Sequence, residues 1–229
     1  MKAKSTRLVC KALLFDLDGV LVDSTACIEN TWRSWSALHG LDAEVVVHVA
    51  HGRRAEETVL RMAPHLDAAR EVAALVALES TTSTGVCEFA GARNLLASLP
   101  VQSWAVVTSG VRVVAEHRLR LVGLPIPRIM VCADEVARGK PEPDGYLAAA
   151  SQLGVASGDC VVVEDAPAGI AAAVAARMRV IAIATTHDPA ELCGANAFAE
   201  AVEALRVRVG GQRPVPRLEI TIGEMSHSE

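Results

Sequence analysis

The sequence predicts an α/β protein with a doubly wound parallel sheet, a Rossmann-like core, into which a helical cap domain is inserted. Three features predict this fold class. Short apolar runs alternate with amphipathic helical patterns through the second half of the chain. A long helical interval separates the first apolar run from the second. Distinctive polar motifs follow four of the apolar runs, at the points where the predicted strands end.

Five apolar runs are predicted as strands of the parallel sheet. They do not alternate between apolar and polar residues, which is typical of parallel strands buried on both faces. These runs are residues 11–15, 104–107, 129–132, 160–163 and 180–184.

Helical patterns connect the later strands. Apolar positions recur at helical spacing in residues 91–99, 111–121, 143–153 and 167–177. Pro167 suits the first turn of its helix, where the missing N–H group costs nothing. Strand, helix and strand in repetition imply right-handed crossovers and therefore a doubly wound sheet. Residues 196–205 are predicted to add a final short strand and helix.

A helical insertion interrupts this alternation. Nearly ninety residues separate the first two predicted strands, where a crossover with one helix would use far fewer. We predict that residues 24–86 fold as a cap over the site, and we assign the strand-like valines 45–47 to it. Its amphipathic helical patterns cover residues 25–38, 53–62 and 68–79.

The remaining residues divide into a core and a tail. The predicted catalytic core combines residues 1–23 with residues 87–209. Residues 210–229 form a C-terminal tail that contains a Gly-Gly pair, two prolines and a short alternating run. This tail is either loosely held or paired at a sheet edge, and the sequence does not choose between the two.

Composition and charge narrow the possible functions. The 229 residues are 51% hydrophobic and 21% charged, which is typical of a folded globular chain. A net charge of -5 without a basic tract argues against nucleic acid as a partner. No apolar stretch reaches the roughly 18 residues that span a bilayer, and no signal peptide is recognised. We therefore expect a cytoplasmic protein with reduced cysteines and no membrane partner. The oligomeric state stays open, with a monomer favoured.

Asp16 and Asp18 follow the first predicted strand. Ligands bind beyond the carboxyl ends of strands in an open parallel sheet, so both side chains can face one site. The Asp16 carboxylate is a candidate nucleophile toward phosphorus, which would give an aspartyl-phosphate. Asp18 can protonate the leaving alkoxide and later deprotonate water. The alternative is a pair of aspartates that form a turn or cap.

Two further motifs suit phosphate. Thr108, Ser109 and Gly110 end a strand and precede a helix, where a hydroxyl and backbone N–H groups can cradle phosphate. An ordinary helix N-cap is the alternative. Lys140 is one of only four lysines, and a compact ammonium group there would neutralise an aspartate and a phosphoryl oxygen together. A solvated lysine is the alternative.

Glu164 and Asp165 supply oxygen ligands at the end of another strand. Together with Asp16 and a backbone carbonyl, they could hold one Mg²⁺ ion. The alternative is an N-cap for the helix at Pro167. Two acidic groups at a buried strand end remain costly unless they are paired or bound to a metal.

In this order, the motifs resemble the haloacid dehalogenase superfamily, in particular its phosphatases with an inserted helical cap. The resemblance extends to about Pro189. Several longer stretches are similar to the sub-group of small sugar-phosphate and glycerol-phosphate phosphatases, which includes 2-deoxyglucose-6-phosphate phosphatases. These stretches are residues 51–54, 104–110, 164–170 and 183–186.

The resemblance implies a Mg²⁺-dependent phosphatase that hydrolyses a small sugar or polyol phosphate through an aspartyl-phosphate. The catalytic residues it implies are Asp16 as nucleophile, Asp18 as acid and base, and Thr108 and Lys140 as phosphate clamps. The Mg²⁺ ligands it implies are Asp16, Asp18 through its carbonyl and Asp165, with Glu164 acting directly or through water. Ser109 and Gly110 are expected to bind the substrate phosphate. Gly52 and Arg54 lie where the family places a substrate-specificity loop, although a helix start with solvated charges is an alternative there.

Departures from related families refine the expectation. Asp18 argues against a true dehalogenase, and the absence of lysine between Ser24 and Arg138 excludes Schiff-base phosphonate hydrolysis if the family mechanism holds. A phosphomutase is the alternative function, but Ile28 stands where β-phosphoglucomutases carry histidine. A non-catalytic sugar-phosphate-binding protein is a third hypothesis. Arg177 stands where relatives have glycine and implies a strained or differently capped helix end.

Overall fold

The computed structural model describes residues 6–210 and 216–223. Its strands are β1 (Arg7–Cys10), β2 (Ala12–Phe15), β3 (Val22–Asp23), β4 (Cys87–Glu88), β5 (Trp104–Val107), β6 (Met130–Val131), β7 (Cys160–Glu164), β8 (Arg179–Ile183), β9 (Ala197–Ala199), β10 (Leu205–Gly210) and β11 (Arg217–Ile222). Its α-helices are α1 (Thr25–His39), α2 (Ala43–Ala50), α3 (Ala55–Met62), α4 (Ala68–Glu79), α5 (Ala92–Ser98), α6 (Arg112–Leu121), α7 (Asp144–Leu153) and α8 (Pro167–Ala175). All five predicted strands of the parallel sheet are present.

A six-stranded parallel sheet in the order β6-β5-β2-β7-β8-β9 forms the core. The fully buried strand β2 shows how helices cover both faces. Leu13 and Phe15 pack with α5 and α6, whereas Ala12 and Leu14 pack with α7 and α8. This two-sided burial explains the continuous apolar runs. The predicted doubly wound fold is confirmed.

Helices α1 to α4 enclose a hydrophobic core of their own. Trp32 and Trp35 stack edge to face at a centroid distance of 5.4 Å, and Val46, Val59 and Leu75 pack around them. The chain leaves the parallel sheet after β2 and returns through the antiparallel pair β3–β4. Both connections to these helices therefore run side by side, which holds them above the carboxyl edge of the sheet.

The three valines 45–47 lie in helix α2, although their propensity favours a strand. Asp42 caps this helix, because its side chain accepts hydrogen bonds from the amides of Glu44 and Val45 at 3.0 and 3.3 Å. Val46 and Val47 are buried in the cap. Local capping and tertiary burial therefore outweigh the intrinsic preference of β-branched residues.

The C-terminal region forms a second sheet that the sequence did not predict. Strands β10 and β11 pair antiparallel, and β11 also pairs antiparallel with β1, in the order β1-β11-β10. Residues 217–222 of the predicted tail are therefore paired and not loosely held, and they lie between β1 and β10 in this second sheet. The predicted helix before residue 205 is a single 3₁₀ turn, Val202–Ala204. The rest of the predicted tail beyond Gly210, apart from residues 216–223, lies outside the described residues.

Arg177 lies two residues after the end of helix α8, in the left-handed region with φ of 58°. This backbone conformation favours glycine, since a Cβ atom crowds the following carbonyl. The strain that the resemblance implied for this position is therefore present. In the part of the chain that the structure describes, no helix has the length and apolar character needed to cross a membrane.

Candidate active site

The motif residues meet at the carboxyl edge of the parallel sheet. Asp16 directly follows β2, Thr108 follows β5, and Glu164 is the last residue of β7. Because β2 lies between β5 and β7, these side chains start from neighbouring strand ends. All three line a cavity of about 300 Å³ between the core and helices α1 to α4. This is the position in which open parallel sheets bind ligands.

A tight turn after β2 lets both aspartates line the cavity. Gly19 lies in this turn with φ of 85°, and a Cβ atom there would overlap the carboxylate of Asp165. Any other residue would have to displace that carboxylate and would also be strained in its backbone. Glycine is therefore required for the close approach of the Asp16–Asp18 segment to Asp165.

Lys140 is a buried cation of the site, with 7% of its side chain exposed. Its ammonium group donates hydrogen bonds to Asp16 and, over 2.6 Å, to Oε1 of Glu164. Burial alone would lower the pKa of Lys140, but the adjacent carboxylates outweigh this effect and raise the pKa overall. The lysine therefore stays charged, and its partners define its position.

Glu164 is held by donors on both of its carboxylate oxygens. In addition to Lys140, the hydroxyl of Tyr146 donates to Oε1 over 2.9 Å. The amides of Asp165 and Ala166 donate to Oε2 over 2.9 and 3.0 Å. A Cβ atom at Gly169 would overlap this carboxylate, so helix α8 also closes around it. Glu164 is thereby fixed as a buried anchor for Lys140.

A cluster of carboxylates could hold a divalent cation. Asp16, Glu164 and Asp165 each place one oxygen within 4.8 Å of the others. Burial raises the pKa of Asp16 from 3.8 to about 7, against the opposing effect of Lys140. Burial, with Glu164 and Asp16 adding to it, raises the pKa of Asp165 well above its usual value. When all three carboxylates are ionised, they and the ammonium group leave two negative charges, which suit a hard divalent cation with oxygen ligands such as Mg²⁺.

Asp18 has a different environment from Asp16. Its Oδ1 accepts hydrogen bonds from the Ser24 hydroxyl at 2.6 Å and from Nη1 of Arg118 at 2.8 Å. Nη2 of Arg118 donates to Oε2 of Glu79 at 3.0 Å. Asp18 is therefore paired with a cation of its own, separate from Lys140.

The motif after β5 contributes a hydroxyl and a contact with the helical insertion. Oγ1 of the buried Thr108 accepts a hydrogen bond from the amide of Gly110 at 3.0 Å. The Ser109 hydroxyl donates to the carbonyl of Gly52 at 2.9 Å. All three motif residues line the cavity, but Ser109 already has a protein partner.

Gly52 and Arg54 lie in the loop between α2 and α3, which contacts the core closely. Gly52 has φ of 73°, and a Cβ atom there would lie 2.8 Å from Cβ of Ala166. The guanidinium group of Arg54 donates to the carbonyls of Val136 and Ala137 at 2.9 and 3.3 Å. Both predicted specificity residues line the cavity, yet the polar contacts of Arg54 are with the segment that precedes Lys140.

Five residues of the site were not identified from the sequence: Ser24, Glu79, Arg118, Tyr146 and Thr186. Tyr146 could have been found from the sequence, because it is the only tyrosine in the chain and follows the Lys140 motif. Thr186 donates to the Asp165 carboxylate and lay within a stretch that resembled the family. Glu79 and Arg118 occupy ordinary helical patterns, and nothing in their spacing indicates that they meet.

This geometry defines a class of capped α/β hydrolases, in which carboxylates and one lysine meet at the carboxyl edge of a parallel sheet. A family model described as haloacid dehalogenase-like hydrolase matches residues 10–177. The chain belongs to this family, as the resemblance implied.

Named relatives cover most of the chain. It is 41% identical over 203 residues to hexitol phosphatase A of Escherichia coli, which covers 86% of this chain and 94% of that protein. It is 36% identical over 206 residues to glycerol-1-phosphate phosphohydrolase 2 of Saccharomyces cerevisiae, covering 82% of this chain and 80% of that protein. A solved structure of a hydrolase from Pseudomonas syringae matches with a TM-score of 0.76 and 26% identity, over 84% of this chain and 94% of that chain.

Proposed function

We propose that this protein is a Mg²⁺-dependent phosphatase that hydrolyses small sugar or polyol phosphates through an aspartyl-phosphate. One observation carries the proposal: the carboxylate of Asp16 lines the cavity and lies close to both the buried Lys140 and Asp165. The names of the relatives, a hexitol phosphatase and a glycerol-1-phosphate phosphohydrolase, support the substrate class.

Asp16 acts as the nucleophile in the proposed reaction. Its carboxylate oxygen attacks phosphorus, an O–P bond forms, and the bond from phosphorus to the substrate oxygen breaks. Asp18 donates a proton to that leaving oxygen. Asp18 then removes a proton from water, which attacks the aspartyl-phosphate and releases inorganic phosphate and the Asp16 carboxylate.

The phosphoryl group has a defined set of donors. Lys140 is charged and contacts Asp16, so it can neutralise an oxygen of a phosphoryl group bonded to that carboxylate. We assign Thr108, the amides of Ser109 and Gly110, and Lys140 to the phosphate. The Gly110 amide would exchange its present bond to Thr108 Oγ1 for one to the phosphate. Preorganised donors of this kind stabilise the charge that develops in the transition state.

Asp16, Asp165 and the backbone carbonyl of Asp18 would hold the cation. Glu164 would lie outside this set of ligands, because four protein donors already occupy its two oxygens. When bound, Mg²⁺ supplies positive charge to the phosphoryl oxygens and favours the charged form of the nucleophile.

The cavity limits the size of the substrate. Its volume of about 300 Å³ lies at the lower end of ligand sites and suits a phosphorylated chain of a few carbons. Ile28, Trp32 and Leu75 form an apolar wall on its cap side. Gly52 and Arg54 also line this cavity. We propose that their loop, which Arg54 holds against the core, shapes the space in which sugars and polyols are distinguished.

The cellular setting is a proposal as well. All six cysteines are free, as expected in a reducing compartment, which supports a cytoplasmic location. We assign a monomer as the functional unit. Size-exclusion chromatography with light scattering measures the mass directly, and a dimer at low micromolar concentration would contradict the assignment.

A phosphate-release screen tests the proposed function. The purified chain is assayed with sugar, polyol, glycolate and nucleotide monophosphates, with Mg²⁺ or with a chelator. We expect turnover of sugar or polyol phosphates that requires the metal and disappears in Asp16→Asn. Release that survives in Asp16→Asn, or no release from any sugar or polyol phosphate, would contradict it. Conversion of a hexose 1-phosphate into its 6-phosphate would identify a phosphomutase instead.

A further inference from the structure

Arg118 lies between the helical cap and the acid–base candidate. It belongs to α6 of the core and is 3% exposed. One of its terminal nitrogens donates to Asp18, and the other donates to Glu79, the last residue of cap helix α4. A single buried guanidinium group thus joins the cap to Asp18.

We propose that Arg118 is a positioning residue for Asp18 and that Glu79 holds Arg118 in place. The inference rests on the proposed function, in which Asp18 transfers the proton to the leaving group. Sequence motifs did not indicate either residue, and the bridge links two segments that are 39 residues apart.

The hydrogen bonds of Asp18 explain how positioning would work. Ser24 and Arg118 both donate to Oδ1. Among the described residues, none donates a hydrogen bond to Oδ2. The two donors therefore fix one oxygen and leave the other available to the substrate. A carboxylate fixed in this way needs no reorientation before proton transfer, which favours catalysis.

Stability alone accounts poorly for this bridge. Nε of Arg118 is buried and has no hydrogen-bond partner among the described residues. Burying a charged pair with an unsatisfied donor often costs more free energy than the pair recovers, and apolar replacements are frequently as stable. A role in orienting Asp18 gives a reason for a charged group at this position.

The guanidinium geometry also makes the bridge directional. Its planar fork presents two terminal nitrogens at a fixed angle, so its contact with Glu79 determines the direction from which it approaches Asp18. Helix α4 packs against α6, which brings these residues together. Removing the charge of Glu79 would release one end of the fork and loosen the other.

The test compares substrates that differ in their need for a proton. An alkyl phosphate has a poor leaving group that needs protonation, whereas p-nitrophenyl phosphate has a good leaving group that departs without it. The measured quantity is kcat/KM, because it reports the steps through cleavage of the substrate. A merely structural defect lowers kcat/KM for both substrates by the same factor.

Three variants should lower kcat/KM for the two substrates by different factors. For Arg118→Met, we expect kcat/KM for the alkyl phosphate to fall about tenfold to hundredfold further than for p-nitrophenyl phosphate, which is part of the effect of a general acid. Glu79→Gln should show the same selective loss for the alkyl phosphate to a smaller degree. Arg118→Lys should show a smaller selective loss than Arg118→Met. Arg120→Met is the matched control on the same helix, because Arg120 is exposed and its ion pair is with Glu116, away from the cavity.

Asp18→Asn distinguishes a failure of the proposed acid role of Asp18 from a failure of the positioning role of Arg118. If this variant loses both substrates equally, the proposed acid role of Asp18 is wrong and the assignment of Arg118 is wrong with it. If Asp18→Asn is selective but the Arg118 and Glu79 variants are not, only the positioning inference is overturned. Should Arg118→Met fail to fold, Glu79→Gln and Arg118→Lys decide the question on the same ratio.

Discussion

Lys140 and Glu164 form a buried ion pair of 2.6 Å, and the same lysine donates to Asp16. Glu164 ends β7 and Asp16 follows β2, so the lysine bridges two adjacent strands at their carboxyl ends. The nucleophile candidate is therefore positioned by a cation whose own location depends on a second carboxylate. This dependence separates the role of Glu164 from that of Asp165.

Glu164→Gln tests this separation. Loss of the charge that anchors Lys140 should lower kcat by about 10–100-fold, as expected for a partner outside the ligand sphere. The Mg²⁺ concentration for half-maximal activity should change little, since the Glu164 oxygens already have protein donors. Asp165→Asn is the comparison, and its half-maximal Mg²⁺ concentration should rise at least about tenfold. A similar rise in Glu164→Gln would place Glu164 among the direct ligands.

The pH dependence of stability follows from Asp16. Its pKa is raised from 3.8 to about 7 by burial, so the folded protein holds this proton more tightly than the unfolded chain. With a chelator present, its contribution to the free energy of unfolding should therefore fall as pH rises from about 4 to about 7. Urea unfolding across this range measures the effect. The decline should be shallower in Asp16→Asn, and equal slopes would show that Asp16 does not titrate there. Mg²⁺ should stabilise the wild type most at the upper end of the range, because it favours the carboxylate.

Arg54→Ala tests whether the loop between α2 and α3 is held by the core. The guanidinium group donates to backbone carbonyls near Lys140, so its loss should loosen the cap for every substrate. We expect kcat/KM to fall about tenfold for both a hexitol phosphate and a small phosphate ester, which corresponds to about 1.4 kcal/mol and to one or two lost hydrogen bonds. Arg61→Ala, at an exposed position of α3, is the control. A loss confined to the larger substrate would instead assign Arg54 to substrate contact.

Arg177→Gly should stabilise the protein. Arg177 is exposed and has φ of 58°, which costs a non-glycine residue about 1 kcal/mol. We expect an increase of about 1 kcal/mol in the free energy of unfolding, partly offset by the greater backbone freedom of glycine in the unfolded chain. Gly154→Ala is the reciprocal control, because Gly154 ends α7 with φ of 68° in open space and should lose a similar amount. Unchanged stability in Arg177→Gly would mean that the helix end relaxes at no cost.

Much of the site could be predicted because strand order in a doubly wound sheet has few solutions. Once Asp16, Thr108 and Glu164 are placed at the ends of parallel strands, the topology brings them to one edge. Lys140 was recognisable because lysine is rare in this chain. The polar partners of Arg54 were not predictable, since they are backbone carbonyls 82 and 83 residues away.

The amino-acid sequence was sufficient to predict the parallel core, the helical insertion and the motifs at the strand ends. Apolar runs, helical periodicity and the order of motifs can all be recognised along the chain without knowledge of its folding. The contacts of Arg118 with Glu79 and Asp18, and the pairing of β1 with β11, are visible only in the folded chain. Helical periodicity tells which face of a helix is buried, but not which polar group from another segment meets it. Antiparallel pairing between the two ends of the chain likewise depends on contacts that no local pattern encodes.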